Sequence, residues 1–530
     1  LASLPELPLA TSVDVVVIGA GYTGLAAAIT LARAGRSVLV LDRQRAGEGA
    51  STRNGGITSG NIRPSYGSLV RRFGERRALD IQAEGKEARE DLRRFVEDEG
   101  IDCDYQRFSG ALTAKEYDVT VRGAEALAKT LGIESYAVPP HEQHRYIGTE
   151  FYHGGNVRMD IGGLHPAKFH AGMLRVAQTA GAHIRDATAV LSVEQSGKEF
   201  LVATTQGTVR AGDVLSCTNG YTDGSDKWLR RRLVPVRSRI IATEALPAEM
   251  MAQLMPSRMM YSDGRELSYY YRPSPDGSRI LFGGRDGTVS GEPAWPTDHL
   301  SAELARIFPD LTGARLSHSW FGYVAMHRDM IPRIFRKDGV TYATGYCGSG
   351  VVWARWLGTK AARQILGEEG AGTTAIAFAR SSSSPPSRAT MIAFSQAAFR
   401  RMATSLMTES PAEWPSVSLT SLKPSRSSSN TVAGFSAASL FARHSRHAPR
   451  LGRSVSASIA ASRNRRSSFC RRSVMSRTIA PTLVPLPFCQ VDRENSAGHS
   501  LPSLRRLESS IVRSASSICS PCWRRSSSAS

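Results

Sequence analysis

Residues 15–32 carry no charged side chain, and the pattern inside that run separates two elements. Val13 to Ile18 is apolar and β-branched apart from Asp14, as a strand buried on both faces should be. Gly19-Ala20-Gly21-Tyr22-Thr23-Gly24 follows, then an alanine-rich segment with Leu25, Ile29 and Ala32 on one helical face. Gly35 ends that helix, and Ser37 to Leu41 returns as a second apolar strand closed by Asp42. This is one βαβ unit of about 30 residues. The uncharged run just reaches the length of a membrane span. Glycine and threonine interrupt it, however, and its helical part is only about a dozen residues, so a buried strand and helix fit better.

Further along, residues 66–99 have a helical period, with Leu69, Phe73, Leu79, Leu92 and Phe95 among Arg and Glu. They read as one or two solvent-facing helices with the charges on a solvated face. Gly110 to Ala114 reads as a strand, Glu116 to Leu131 as a helix, and His165-Pro166 as the start of a helix running to Thr179 before Gly181. Residues 183–215 read as three strands, HIRDATAVLSVEQ, FLVATTQG and TVRAGDVLSC, parted by polar turns. Residues 233–315 alternate as an antiparallel sheet would. Val340 to Thr344 is a strand, Gly345 to Gly350 a glycine turn, and Val351 to Leu366 a helix stopped by Gly367.

The expected fold is α/β with an α+β insertion: a Rossmann-like dinucleotide-binding domain and a second, antiparallel-sheet substrate domain. The expected division is 1–80 with 150–225 and 316–378 for the first, and 81–149 with 226–315 for the second. Residues 379–530 form a low-complexity basic tail.

Each glycine of the first turn has a mechanical reason. Gly19 turns the chain off the strand, Gly21 lets backbone N–H groups approach a pyrophosphate, and Gly24 lets the helix lie close to the sheet. The helix N-terminus presents free N–H groups to the phosphates. Asp42 stands where a carboxylate accepts ribose hydroxyls. Residues 43–56, rich in glycine and small polar residues, form either a loop that approaches the rest of that nucleotide or a plain surface loop. Turns near residues 20, 50 and 348 come from both ends of the chain. A cofactor buried along its length follows, and FAD fits.

The net charge of +20 over 530 residues invites a nucleic-acid reading, which its distribution undoes. Residues 1–379 hold 45 Lys+Arg against 42 Asp+Glu, and residues 380–530 hold 22 against 5. The seven cysteines form no disulfide framework or zinc site, with Cys519 and Cys522 isolated in low-complexity sequence. No basic region precedes the first apolar run, so it is not a secretion signal, and a cytoplasmic enzyme is expected.

The chain resembles the D-amino-acid-oxidase-like flavoprotein superfamily, most closely its γ-glutamylputrescine oxidase-like branch. The carrying motifs are VVVIGAGYTGLAAAITLARAG (15–35), GASTRNGG (49–56), IDCD (101–104), GGLHPAKF (162–169), CTNGYTD (217–223), PVRSRIIAT (235–243), YYYRPSPDG (269–277), FGGR (282–285), WFGYVAMHRDMIP (320–332) and GYCGSGV (345–351). By that resemblance, Gly19, Gly21, Tyr22, Thr23 and Gly24 hold the FAD pyrophosphate, and Asp42, with Arg43 beside it, the adenosine ribose. Ala50, Ser51, Arg53, Asn54 and Gly55 follow the ribityl chain and flank the ring system. Val190 contacts the adenine end, and Thr218, Asn219 and Gly220 close over the phosphates. Gly348, Ser349, Gly350 and Val351 face the pyrimidine edge of the flavin.

Two departures refine the expectation. Glycine-oxidase-like relatives clamp an α-carboxylate with an arginine where this chain has Val324, so a simple α-amino acid is disfavoured. Sarcosine-oxidase-like relatives attach flavin to a cysteine where this chain has Gly322, so FAD is expected to be non-covalent. The implied reaction removes hydride from the carbon bearing an amine, as in putrescine catabolism. Aldehyde, ammonia and hydrogen peroxide result, with O2 or another acceptor reoxidising the flavin. A demethylating or amino-acid oxidase is the alternative.

Tyr270 faces opposite to Tyr269 and Tyr271 in a strand, either lining the pocket or packing the sheet. His327 is a candidate proton acceptor, against the reading of a surface or core histidine. His165 is read as a helix-start feature. Arg285 is either near the flavin or paired at the surface.

Residues 380–530 contain 39 serines and few acids, a composition that does not support folding. An out-of-frame tail is the leading reading, leaving a damaged FAD-binding product as the non-enzyme alternative. A nucleic-acid-binding arm is disfavoured for want of interleaved aromatics.

Overall fold

The computed structural model describes residue 4 and residues 8–368, apart from 107–110, 115–120, 122–123, 126–127, 264–268 and 288–295. The tail, and much of the helix expected at 116–131, lie outside the described residues.

The first sheet is built on β1 (Ser12–Ile18). It pairs in parallel with β2 (Val38–Leu41) and with β11 (Gly207–Ser216), placing Val15 opposite both Val38 and Asp213. The strand order is β17 (Arg333–Lys337), β18 (Val340–Thr344), β11, β1, β2, β8 (His183–Arg185). A hairpin of β9 (Val190–Ser196) and β10 (Glu199–Thr204) extends from β11. Val15 and Val17 enter a core made with α1 (Tyr22–Arg33), α3 (Glu75–Asp98), α4 (Pro166–Thr179) and α8 (Gly350–Ile365). Val16 enters another, with Phe200, Val202 and Val209 of the hairpin region. Both faces are covered along Val15 to Val17, and the polar residues of the strand, Ser12 and Asp14, stand at its exposed start. Two glycines set the helix spacing. A Cβ at Gly24 would lie 1.9 Å from the Gly19 carbonyl oxygen, and one at Gly358 of α8 2.2 Å from that of Thr23.

Two expectations about this half change. The expected solvent-facing helices are α2 (Tyr66–Phe73) and α3, but α3 is a core element. Ala78, Ile81, Ala88 and Leu92 are buried, and so are Glu84 and Arg89. Their polar groups have partners: Glu84 accepts from the neutral indole Nε1 of Trp356 at 2.9 Å, while Arg89 pairs with Asp160 and Asp91 with Arg355. Charge density alone does not separate a solvated face from one neutralised by neighbouring elements. Second, the strand expected over 183–195 breaks between β8 and β9. Thr188 and Ala187 there donate backbone N–H groups to Asp42 O (2.8 Å) and Gln44 O (3.1 Å), bending the chain round the end of β2.

The second sheet has the order β16 (Leu316–Met326), β12 (Val234–Thr243), β15 (Ile280–Gly287), β14 (Tyr270–Pro273), β13 (Met260–Asp263), β4 (Ala111–Ala114), β6 (Gly155–Arg158), β5 (Ser135–Val138). Its pairs are antiparallel except β13 with β4. One face packs against α6 (Ala248–Leu254) and α7 (Asp298–Ile307) through Tyr261, Tyr271, Phe282, Leu300 and Leu304. β6 and β16 belong to this sheet, although the expected division places residues 150–225 and 316–378 with the nucleotide-binding part. Hydrogen bonding to a sheet partner, which local sequence does not specify, decides this. A short pair, β3 (Ile57–Thr58) with β7 (Gly162–Gly163), and the one-turn α5 (Lys227–Arg230) complete the framework.

Candidate functional site

Six chain segments converge on one cleft. Gly19, with φ +107°, donates its N–H to Leu41 O at 2.8 Å and turns the chain from β1 into α1. α1 has Gly21 at its N-cap position, with no side-chain cap and no acid in its first turn. Its leading N–H groups have no acceptor within the helix. The exception supplied from outside is Tyr22, whose N–H donates to Ser51 Oγ at 3.0 Å. Asp42, at the end of β2, accepts from Ala20 N (2.8 Å) and Gln44 N (3.0 Å). Burial pushes its carboxyl above the usual range, and those two N–H groups act the other way. Arg43 pairs with Asp223 at 2.8 Å, tying the first turn to the segment after the second.

The loop at 49–56 is held by its own residues. Asn54 donates to Ala50 O (3.1 Å) and Ser51 O (2.9 Å) and accepts from Gly56 N (2.8 Å). Arg53 donates to Phe321 O at 3.2 Å, and Trp320 Nε1 donates to Arg53 O at 3.2 Å, so this loop docks on β16.

The second and third glycine turns are bonded to each other. Asn219, at φ +43°, accepts from Thr344 Oγ1 (3.1 Å) and Gly345 N (3.0 Å). Thr218 Oγ1 is 2.7 Å from Thr222 Oγ1, and Gly220 lies against Tyr323, whose carbonyl oxygen would be 2.6 Å from a Cβ there. Like α1, α8 starts without a side-chain cap or a first-turn acid. Two uncapped helix N-termini thus open on one cleft, a setting for anionic groups.

Of the residues expected from the sequence, Gly19, Gly21, Tyr22, Thr23, Asp42, Arg43, Ala50, Ser51, Asn54, Val190, Thr218, Asn219, Gly348, Gly350 and Val351 line this cleft. Gly24, Arg53, Gly55, Gly220 and Ser349 do not. Gly24 sets helix packing, Arg53 docks the loop on β16, Gly220 packs on Tyr323, and Ser349 is the N-cap position of α8. Val324 and Tyr323 line the cleft, and Gly322 lies 3.6 Å from Ala50 Cα, measured from a built Cβ.

The two catalytic candidates part company. Tyr270 points away from the core that holds Tyr271 and lies between Gly55 and Gly283, whose built Cβ atoms would be 2.9 and 2.5 Å from its ring. Its hydroxyl is 3.1 Å from Ser238 Oγ. His327 is not at the cleft. Its Nε2 bonds Gly345 O at 3.0 Å and its Nδ1 meets Asp329 at 2.6 Å. Burial opposes its protonation, but Asp329 and the neighbouring Cys347 raise it to about 9. A protonated imidazole with both nitrogens engaged is not a base at neutral pH, so His327 braces the third turn instead. His165 is the N-cap of α4, its ring accepting from Lys168 N at 3.4 Å.

Sequence reading missed several residues here. His170, kept neutral by burial, donates from Nε2 to Ala20 O at 2.7 Å. Tyr346 OH lies 2.7 Å from Thr23 Oγ1. Arg272, buried, donates to Leu164 O (3.1 Å) and Gly55 O (3.4 Å). Arg272 stands two positions from Tyr270, a signal that it shares that face. Nothing local marks His170. Among the described residues no His/Cys/Asp/Glu cluster could hold a metal, and no helix is long and apolar enough to cross a membrane.

A family model described as FAD dependent oxidoreductase matches residues 14–364. A protein named probable oxidoreductase OrdL from Rhizobium meliloti (strain 1021) is 32% identical over 371 residues, covering 69% of this chain and 85% of that one. The γ-glutamylputrescine oxidoreductase of Escherichia coli (strain K12) is 28% identical over 362 residues, covering 67% and 84%. Among solved structures, glycine oxidase from Geobacillus kaustophilus superposes with a TM-score of 0.57 at 20% identity, over 68% of this chain and 96% of that one.

Proposed function

Because this chain belongs to the FAD-dependent oxidoreductase family, we propose that it oxidises the C–N bond of an amine of the γ-glutamylputrescine type. The overall reaction takes amine, O2 and water to aldehyde, ammonia and hydrogen peroxide. The cleft fits the cofactor: two uncapped helix N-termini without first-turn acids suit a pyrophosphate and a flavin edge, and Asp42 suits a ribose. When bound, FAD supplies the hydride acceptor.

The chain's own part is positioning. The observation that carries the reading is that Tyr270 of the second sheet stands over Gly55, at the end of the loop that closes the cleft. A substrate held against that sheet is thereby placed beside the cofactor site. Val324 at the cleft offers no fork for an α-carboxylate, which supports an amine rather than an α-amino acid.

The test is spectroscopic. Purified protein is expected to be yellow, absorbing near ~450 nm, and to bleach anaerobically on adding the amine, as reduction of a flavin requires. A colourless protein, or a yellow one untouched by amines and reduced by another substrate class, sinks the reading.

A further inference from the structure

We propose that Arg285 is the anion-recognition residue of the substrate pocket, the group that binds the carboxylate which an amine of the γ-glutamylputrescine type carries away from its reacting carbon. This deepens the amine-oxidase reading above and rests on it for the identity of the reacting group.

Three strands place the relevant side chains on one face. Ser238 of β12 pairs with Arg285 of β15, and Tyr270 of β14 pairs with Gly283, two positions from Arg285. The Ser238 hydroxyl is the hub: Arg285 Nη1 donates to it at 2.6 Å, Tyr270 OH is at 3.1 Å, and it reaches Gly284 O at 3.2 Å. That bond uses one of the five donors of the guanidinium. No acidic side chain pairs with Arg285 among the described residues. Its other arm, Nη2, lies against Gly348, where a Cβ would stand 2.9 Å away. Gly348 lines the cleft, so the free arm is at the boundary between sheet and cleft.

A half-buried guanidinium whose only side-chain partner among the described residues is a neutral hydroxyl is poorly compensated, and a carboxylate would complete it with charge-assisted bonds. Its place in the sheet sets where that carboxylate sits. Val324 pairs with Val236, whereas Arg285 pairs with Ser238 on the far side of β12. The backbone of Arg285 is thus two strands from that of Val324, and its guanidinium enters the cleft beside Gly348 rather than from β16.

The experiment compares two primary amines of equal length, 5-aminopentanoate and 5-aminopentanamide, on FAD-loaded wild type, Arg285→Met and Arg285→Lys. A second readout follows glutarate, which carries no oxidisable amine, through its perturbation of the flavin spectrum. Arg285→Met is expected to lower the carboxylate-to-amide ratio of kcat/KM by about 10–100-fold, with Arg285→Lys intermediate. Glutarate affinity should fall in the same order. An unchanged ratio with unchanged glutarate affinity overturns the proposal and leaves the amine-oxidase reading standing. Equal losses on both amines, with a flavin harder to reduce, also overturn it, since Arg285 would then serve the cofactor. If no amine bleaches wild type but glutarate binds in an Arg285-dependent way, anion recognition stands and the amine-oxidase reading falls.

Discussion

The hydroxyls of Thr23 and Tyr346 lie 2.7 Å apart, joining the first glycine turn to the third across 323 positions of chain. Tyr346 OH also donates to Ala343 O at 3.2 Å, so Thr23 is the donor to it. Both residues are buried. This polar contact joins the two helix starts that frame the cleft, beside the close packing of Gly358 on the Thr23 carbonyl.

Tyr346→Phe should leave the Thr23 hydroxyl and the Ala343 carbonyl short of a partner, costing about 1–3 kcal/mol. A denaturant midpoint lowered at constant slope checks this, and FAD retention should fall with it.

Gly24→Ala and Gly358→Ala separate packing from propensity. Alanine favours an isolated helix by about 1 kcal/mol over glycine. Here each Cβ meets a carbonyl oxygen, at 1.9 and 2.2 Å, so both substitutions should destabilise, by about 1–3 kcal/mol or more. A gain in thermal midpoint would contradict the close helix packing.

His327 makes stability pH-dependent on the alkaline side. Its folded value is raised from 6.5 to about 9, so its contribution is complete below pH 6.5 and lost as pH rises through about 9. Asp329, pushed up by burial but held well below the carboxylate range by His327 and Arg333, contributes above its unfolded value and loses that as pH falls. Urea midpoints of wild type should decline between about pH 7 and 10, while those of His327→Gln should be flatter there. Because His327 is not placed as the base, the variant should keep within about tenfold of wild-type kcat, against the 10²–10⁴ that a general base contributes.

Tyr270→Phe removes the hydroxyl facing Ser238 and frees Arg285 from part of its network. The flavin spectrum should survive, and kcat/KM should fall by about 10-fold, as loss of one positioning hydrogen bond implies. Stopped-flow reduction of the flavin measures it directly.

Sequence alone determined the first βαβ unit, the three glycine turns and the terminal Asp42. Their chemistry is local: a glycine that must turn or let a backbone approach is required where it stands, and an apolar strand announces burial on both faces. The opposition of Tyr270 to its neighbours was legible for the same reason, since strand alternation is a property of consecutive residues. Tertiary structure decided what depends on partners distant in sequence. α3 reads as solvated until Asp160 and Arg355 are seen to pair with its charges and Trp356 to bond Glu84. β16 and β6 read as part of the first domain until their hydrogen bonds place them in the second sheet. His327 reads as either a proton acceptor or a surface or core histidine until Asp329 and Gly345 are seen at its two nitrogens. Arg285 reads equally as near the flavin or paired at the surface until the fold sets it beside Gly348. In each case one residue's charge or burial is fixed by another that arrives from elsewhere in the chain, and no window of sequence contains both.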